Sequence, residues 1–136
     1  MEEGKLKVML VRPMRKPVMI EIDDSLEAMQ KVVGGPIEEY APFDDDVSII
    51  CNEEGLLLGL PLNRATEFDE LGLVRNAVAG DFFLCNAPAW SEKFLSLTKE
   101  QEIKYMERFQ YPEVFFKSSA GIHAEKIIRA PKVYER

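Results

Sequence analysis

The chain has 136 residues, 46% of them apolar and 30% charged, with a formal net charge of -7. That length suits one domain with a sizeable core. The acidic balance argues against non-specific nucleic-acid binding, which depends on Lys and Arg neutralising phosphates. No apolar run approaches the roughly 18 residues needed to cross a bilayer. The opening Met-Glu-Glu-Gly-Lys-Leu-Lys lacks the basic start and apolar centre of a signal peptide, so the expected location is the cytoplasm, without membrane association.

Leu6 to Arg12 alternates, with Leu6, Val8 and Leu10 on one face and Lys7, Met9 and Val11 on the other. That is a strand pattern. Pro17 to Ile22 repeats it after a short basic turn, and so few residues between the two imply an antiparallel hairpin. Asp24-Ser-Leu-Glu27 reads as a capping box with Asp24 as the cap. It opens a short helix whose apolar face is Leu26, Met29 and Val33 and which Gly34-Gly35-Pro36 closes.

Ile37 to Tyr40 is a strand candidate with Glu38 facing water, and Asp44-Asp45-Asp46 is a turn. Val47 to Cys51 is continuously apolar, the signature of a strand buried on both faces. Asn52-Glu53-Glu54-Gly55 is expected to turn the chain, with Gly55 at positive φ, so that Leu56 to Leu60 returns antiparallel. Residues 66 to 76 read as loop, and Val78 to Asn86 as one strand. An irregular segment after Pro88 carries Trp90 and Phe94.

Thr98-Lys-Glu-Gln101 is a second capping box, opening a helix over Lys99 to Phe109 with Ile103, Met106 and Phe109 as its apolar stripe. Val114 to Lys117 and Ile122 to Ile128 flank Ser118-Ser119-Ala120-Gly121 as a terminal hairpin, and 131–136 is expected to fray. The fold class that follows is α+β, a single domain over 1–136 with a mainly antiparallel, twisted sheet and two short helices packed on it.

The candidate chemistry is sparse. Cys51 and Cys85 lie in apolar runs without CxxC spacing and read as buried thiols rather than a disulfide or a zinc site. Asp44 and Asp46 offer oxygen ligands to a divalent cation, beside the plainer reading of a solvated turn. Asn63 and Arg64 follow Pro61 at what looks like a stiff corner. Arg64 has a fork suited to carboxylate or phosphate, and Asn63 can read a polar ring edge. The alternative is structural, with Arg64 paired to Asp44 or Asp46. Phe82, Phe83, Trp90, Phe94, Phe115 and Phe116 are expected in the core, while Trp90 could instead line a groove and stack on a ligand.

His123 is the lone histidine, and no serine lies in a nucleophile motif from which a triad could be built. Gly34-Gly35 fits neither a GxGxxG nor a Walker pattern, so no cofactor is implied.

Several stretches resemble a family of small uncharacterised domains carried by bacteriophages, plasmids and conjugative elements of Firmicutes-type bacteria. They are Asp24-Ser-Leu-Glu-Ala-Met-Gln30 with Val33-Gly34-Gly35, Pro42-Phe-Asp-Asp-Asp46, and Ile50-Cys-Asn-Glu-Glu-Gly55. Gly59-Leu-Pro-Leu-Asn-Arg64, Ala79-Gly-Asp-Phe-Phe83 and Leu97-Thr-Lys-Glu-Gln101 continue them. The resemblance implies a mobile-element origin and carries over no catalytic residue.

Three functions of different classes follow. The leading one is a non-enzymatic binding protein acting on a host component, a defence factor among the options. The second is an oligomeric sponge that traps a nucleotide-like ligand between subunits through Asn63, Arg64 and Trp90. The third is a metal-dependent hydrolase using Asp44 to Asp46.

Overall fold

A computed structural model describes residues 4–128. The tail expected to fray at 131–136 lies outside the described residues. Among the described residues nine strands form a five-stranded sheet and two separate hairpins, accompanied by two helices, so the α+β class and the antiparallel sheet hold.

The main sheet has the order β2-β1-β7-β4-β3, with every neighbouring pair antiparallel. Its strands are β1 (Lys5–Val11), β2 (Val18–Asp23), β3 (Ile37–Tyr40), β4 (Val47–Asn52) and β7 (Phe82–Asn86). Both faces are covered, which is why β4 is buried at every position and why Phe82 and Phe83, adjacent in sequence, are both inaccessible.

One face presents Met9, Val11, Ile49, Cys51, Phe82 and Leu84 to helix α2 (Lys99–Phe109) and to Val78 of the second sheet. The other presents Leu6, Val8, Ile50, Phe83 and Cys85 to helix α1 (Leu26–Val33). The alternation of β1 thus divides its side chains between two cores rather than between core and water. Cys51 and Cys85 fall on opposite faces, both as free, buried thiols.

Both helices are capped, one of them differently from the expectation. Thr98 takes the amide of Gln101 at 3.1 Å, and the Gln101 side chain takes that of Thr98 at 2.9 Å, the reciprocal box. In α1 the cap is Ser25, not Asp24: the Ser25 hydroxyl accepts from Ala28 N at 3.1 Å, and Gly34 ends the helix in the left-handed region. Asp24 sits too early, its amide donating to Gly4 O as the chain leaves β2. Two stripe residues also change places with solvent. Leu26 and Ile103 are exposed, and in α2 it is Tyr105 that joins Phe109 in the core.

The second sheet corrects the reading of the middle of the chain. Strands β5 (Leu62–Phe68) and β6 (Val74–Ala79) pair as a hairpin where residues 66 to 76 read as loop. Three register irregularities break the period-two signal that sequence reading relies on. Asp69 Oδ1 accepts from the amides of Leu71 and Leu73, both at 2.9 Å, and closes the turn. Gly80, at φ +81°, then splits the expected single strand into β6 and β7.

Leu56 to Leu60 is not a returning strand. Both edges of β4 are already occupied, by β3 and β7, so no ladder is open to it. The segment instead coils into a stitched turn, with Leu58 N donating to Glu54 O at 2.9 Å and Leu60 N to Gly55 O at 3.0 Å. Gly55 does not take the positive φ expected of it. It is needed for space, because a Cβ there would lie 3.0 Å from Ala79 O.

The terminal hairpin, β8 (Glu113–Ser118) and β9 (Gly121–Lys126), forms as expected and packs beside β5 and β6. Among the expected core aromatics, Trp90 and Phe116 are exposed instead: Trp90 stands on the irregular segment, and Phe116 on the open face of the terminal hairpin. No helix among the described residues is long and apolar enough to cross a membrane.

Candidate functional site

Asn63 and Arg64 do not form a projecting corner. They lie within β5, and both side chains are fully buried. Asn63 Nδ2 donates to Val11 O at 3.0 Å and to Gly80 O at 2.8 Å.

All five N–H bonds of the Arg64 guanidinium are engaged. Nε and Nη2 donate to Phe109 O at 3.3 and 2.9 Å, and Nη2 also to Arg15 O at 2.8 Å. Nη1 donates to Asn63 Oδ1 at 2.9 Å and to Asn63 O at 3.4 Å. A buried cation thereby closes the C-terminal end of α2, where backbone carbonyls lack helical partners and the helix dipole is negative. It also ties in the β1–β2 turn. The partner expected for it was Asp44 or Asp46. Neither bonds Arg64, because three main-chain carbonyls and Asn63 Oδ1 already fill its fork. Burial pushes the Arg64 pKa down, while the charge of Glu113 pushes it up.

The acidic turn works through its middle residue. Asp45 accepts from Lys104 Nζ at 2.7 Å, from Tyr105 Oη at 2.8 Å and from Val47 N at 3.1 Å, fixing the turn to α2. Burial alone would raise its pKa, but Lys104, the Val47 amide and Tyr105 together hold it below the ordinary value. Asp44 and Asp46 are exposed on either side. Among the described residues no group of three or more His, Cys, Asp or Glu is arranged to hold a metal ion. Trp90 is 80% exposed, whereas Asn63 and Arg64 are inaccessible, so the three do not converge on one surface.

A site the sequence reading missed lies where the two sheets meet. A cleft of about 400 Å³ is lined by Glu38 and Tyr40 of β3, Cys51 and Asn52 of β4, Glu53, Gly55, Leu56 and Leu57 of the stitched turn, and Asn76 to Ala79 of β6. This volume falls within the range of small-molecule and side-chain pockets.

Tyr40 forms the seam between the sheets. Its hydroxyl donates to Glu67 Oε2, accepts from Asn76 Nδ2 at 2.9 Å and lies 2.8 Å from Thr66 Oγ1. Burial and the Glu67 carboxylate raise its pKa, so it stays a neutral phenol. Cys51 forms part of the floor, and burial lifts its thiol pKa to about 11, which leaves it unreactive.

The lip of the cleft is apolar and stands in water. Leu56, Leu57 and Leu58 follow one another on the turn at 68%, 88% and 59% exposure. They do not dangle. Asn52 Oδ1 accepts from Glu54 N at 2.7 Å, Asn52 Nδ2 donates to Val33 O, and Glu53 N donates to Pro36 O, which holds the turn against α1 and β3. The available signal in the sequence was Gly-Leu-Leu-Leu-Gly, an apolar run too short and too glycine-flanked to pair.

The terminal hairpin brings Ser118 Oγ within 2.8 Å of His123 Nε2, and Phe116 stacks on that ring at 4.8 Å. The same hydroxyl accepts from Ala120 N at 3.1 Å, the pattern of a serine holding its own turn. The geometry is that of a hairpin clasp.

Residues 6–110 match the sequence model of a domain of unknown function (DUF3846), and the chain belongs to that family. The match includes every residue that lines the cleft and leaves out the terminal hairpin. No curated protein and no solved structure matches the chain.

Proposed function

We propose that this chain is a non-enzymatic binding module whose working surface is the leucine lip and the cleft beneath it. The observation that carries the reading is the rigid presentation of three consecutive leucines to solvent. Exposed apolar side chains contribute nothing to the fold, and a contiguous group of them marks an interaction site. A turn stitched by its own backbone bonds loses little further entropy on binding, which favours affinity.

The mobile-element setting implied by the sequence resemblance makes a host protein the partner class, a defence factor among them. A sponge that holds a nucleotide-like ligand through Asn63, Arg64 and Trp90 draws no support from the engaged, buried Arg64. A metal-dependent hydrolase at Asp44 to Asp46 draws none either, since Asp45 is engaged by Lys104 and Tyr105.

The test is a photo-crosslinking amino acid placed at Leu57 and, as a control, at the exposed Lys117, with the protein expressed in a host-like cytoplasm. A discrete protein adduct from position 57, lost when Leu56 is changed to Asp in the same chain, is the expected result. Equal adduct patterns from the two positions would sink the proposal.

A further inference from the structure

We infer that the cleft under Leu56 and Leu57 receives a Lys or Arg side chain from an otherwise apolar segment of the protein partner. This deepens the binding reading above and rests on it.

The lining contributes two carboxylates, Glu38 and Glu53, and no Lys or Arg. Four acids elsewhere, Asp23, Asp24, Asp45 and Glu102, each lie within 4 Å of a lysine nitrogen. Glu38 and Glu53 line one cleft, and neither lies in an ion pair among the described residues. A cation entering from outside meets two carboxylates without an ion pair, and the net charge of -7 steers cations toward the protein.

The walls complete the match. Leu56, Leu57 and Val78 give the cleft an apolar lining. A Lys or Arg stem is also apolar along its methylenes, with the charge confined to its tip. Such a side chain can bury its stem between the leucines and still reach a carboxylate. The apolar neighbours of that residue in the partner would cover Leu57 and Leu58, which the cleft alone does not. An acidic or purely polar segment would leave the leucines wet and bring like charges together, at a cost.

The test uses the full chain and a synthetic peptide carrying one Arg between Leu and Val residues, with Gln and Glu versions of the same peptide, in fluorescence anisotropy. The Arg peptide should bind at least about tenfold more tightly than the Gln peptide, a difference near 1.4 kcal/mol, with the Glu peptide weaker still. The variant Glu38→Gln with Glu53→Gln should erase the preference while keeping the melting temperature, because both side chains are exposed.

Equal affinity for the Arg and Gln peptides overturns the inference. So does absence of binding by all three at concentrations on the order of 1 mM, or spermidine competing as strongly as the Arg peptide. A concentration-dependent dimer that Leu57→Asp dissolves overturns it too, by naming a second copy as the occupant. The two levels separate cleanly. An adduct from position 57 that survives in the Glu38→Gln, Glu53→Gln variant leaves the protein-binding reading standing and removes the cation.

Discussion

Replacing Arg64 with Ala removes one side chain and strands four acceptors: the buried Phe109 O, Asn63 O and Asn63 Oδ1, and the partly buried Arg15 O. Hydrogen bonds to a charged group contribute roughly 1.5–3 kcal/mol each, but the four share one guanidinium and do not add. The better guide is the loss of one member of a buried charged network, about 3–5 kcal/mol. For a domain of this length each kcal/mol moves the melting temperature by roughly 3–5 °C, so the expected fall is on the order of 10–20 °C.

Thermal unfolding followed by far-ultraviolet circular dichroism measures it, with urea unfolding as the check on two-state behaviour. Arg64→Met should lose less than Arg64→Ala, because it fills the space while leaving the acceptors unpaired. A fall of only a few degrees in Arg64→Ala would refute the structural account and return Arg64 to the list of ligand-binding candidates.

Three further outcomes are expected. Asp45→Asn should remove the stability that Lys104, Val47 N and Tyr105 confer on the carboxylate. Because its folded pKa lies below the ordinary 3.8, that stability is present above about pH 4 and lost as pH falls through the folded value. An acid titration of the melting temperature should therefore fall less steeply in the variant than in the parent, and identical slopes would reject the assignment. Ser25→Ala should cost about 1 kcal/mol and Asp24→Ala only a few tenths, since Ser25 is the cap. A reversal in urea midpoints would restore Asp24. The Cys51 and Cys85 thiols, with pKa values raised by burial to about 11 and about 12, should resist Ellman's reagent at pH 8 and react once the protein is unfolded in urea. Rapid native-state labelling of either would contradict the packing described for it.

Much of the fold was legible because local rules suffice for it. The β1–β2 hairpin, the continuous apolar run of β4, the Thr98 capping box and the terminal hairpin each have their determinants within a few residues. The failures came where a local pattern was degenerate or a remote segment decided. Bulges hid the β5–β6 hairpin, and Asp24 and Ser25 are equally good caps on paper until the exit of β2 selects one. The apolar run at Leu56 looked like a strand because nothing nearby says that β4 has no free edge.

The amino-acid order alone therefore determined an acidic α+β domain, its antiparallel hairpins, its second helix cap and its two unpaired thiols. The tertiary structure decided which polar residues are inside and which apolar ones are out. Arg64 is buried because the end of a helix 45 residues downstream supplies its acceptors, and Leu57 is exposed because β3 and β7 already flank the strand it would have joined. Both outcomes depend on hydrogen bonds between segments distant in sequence, and no window of neighbouring residues contains them.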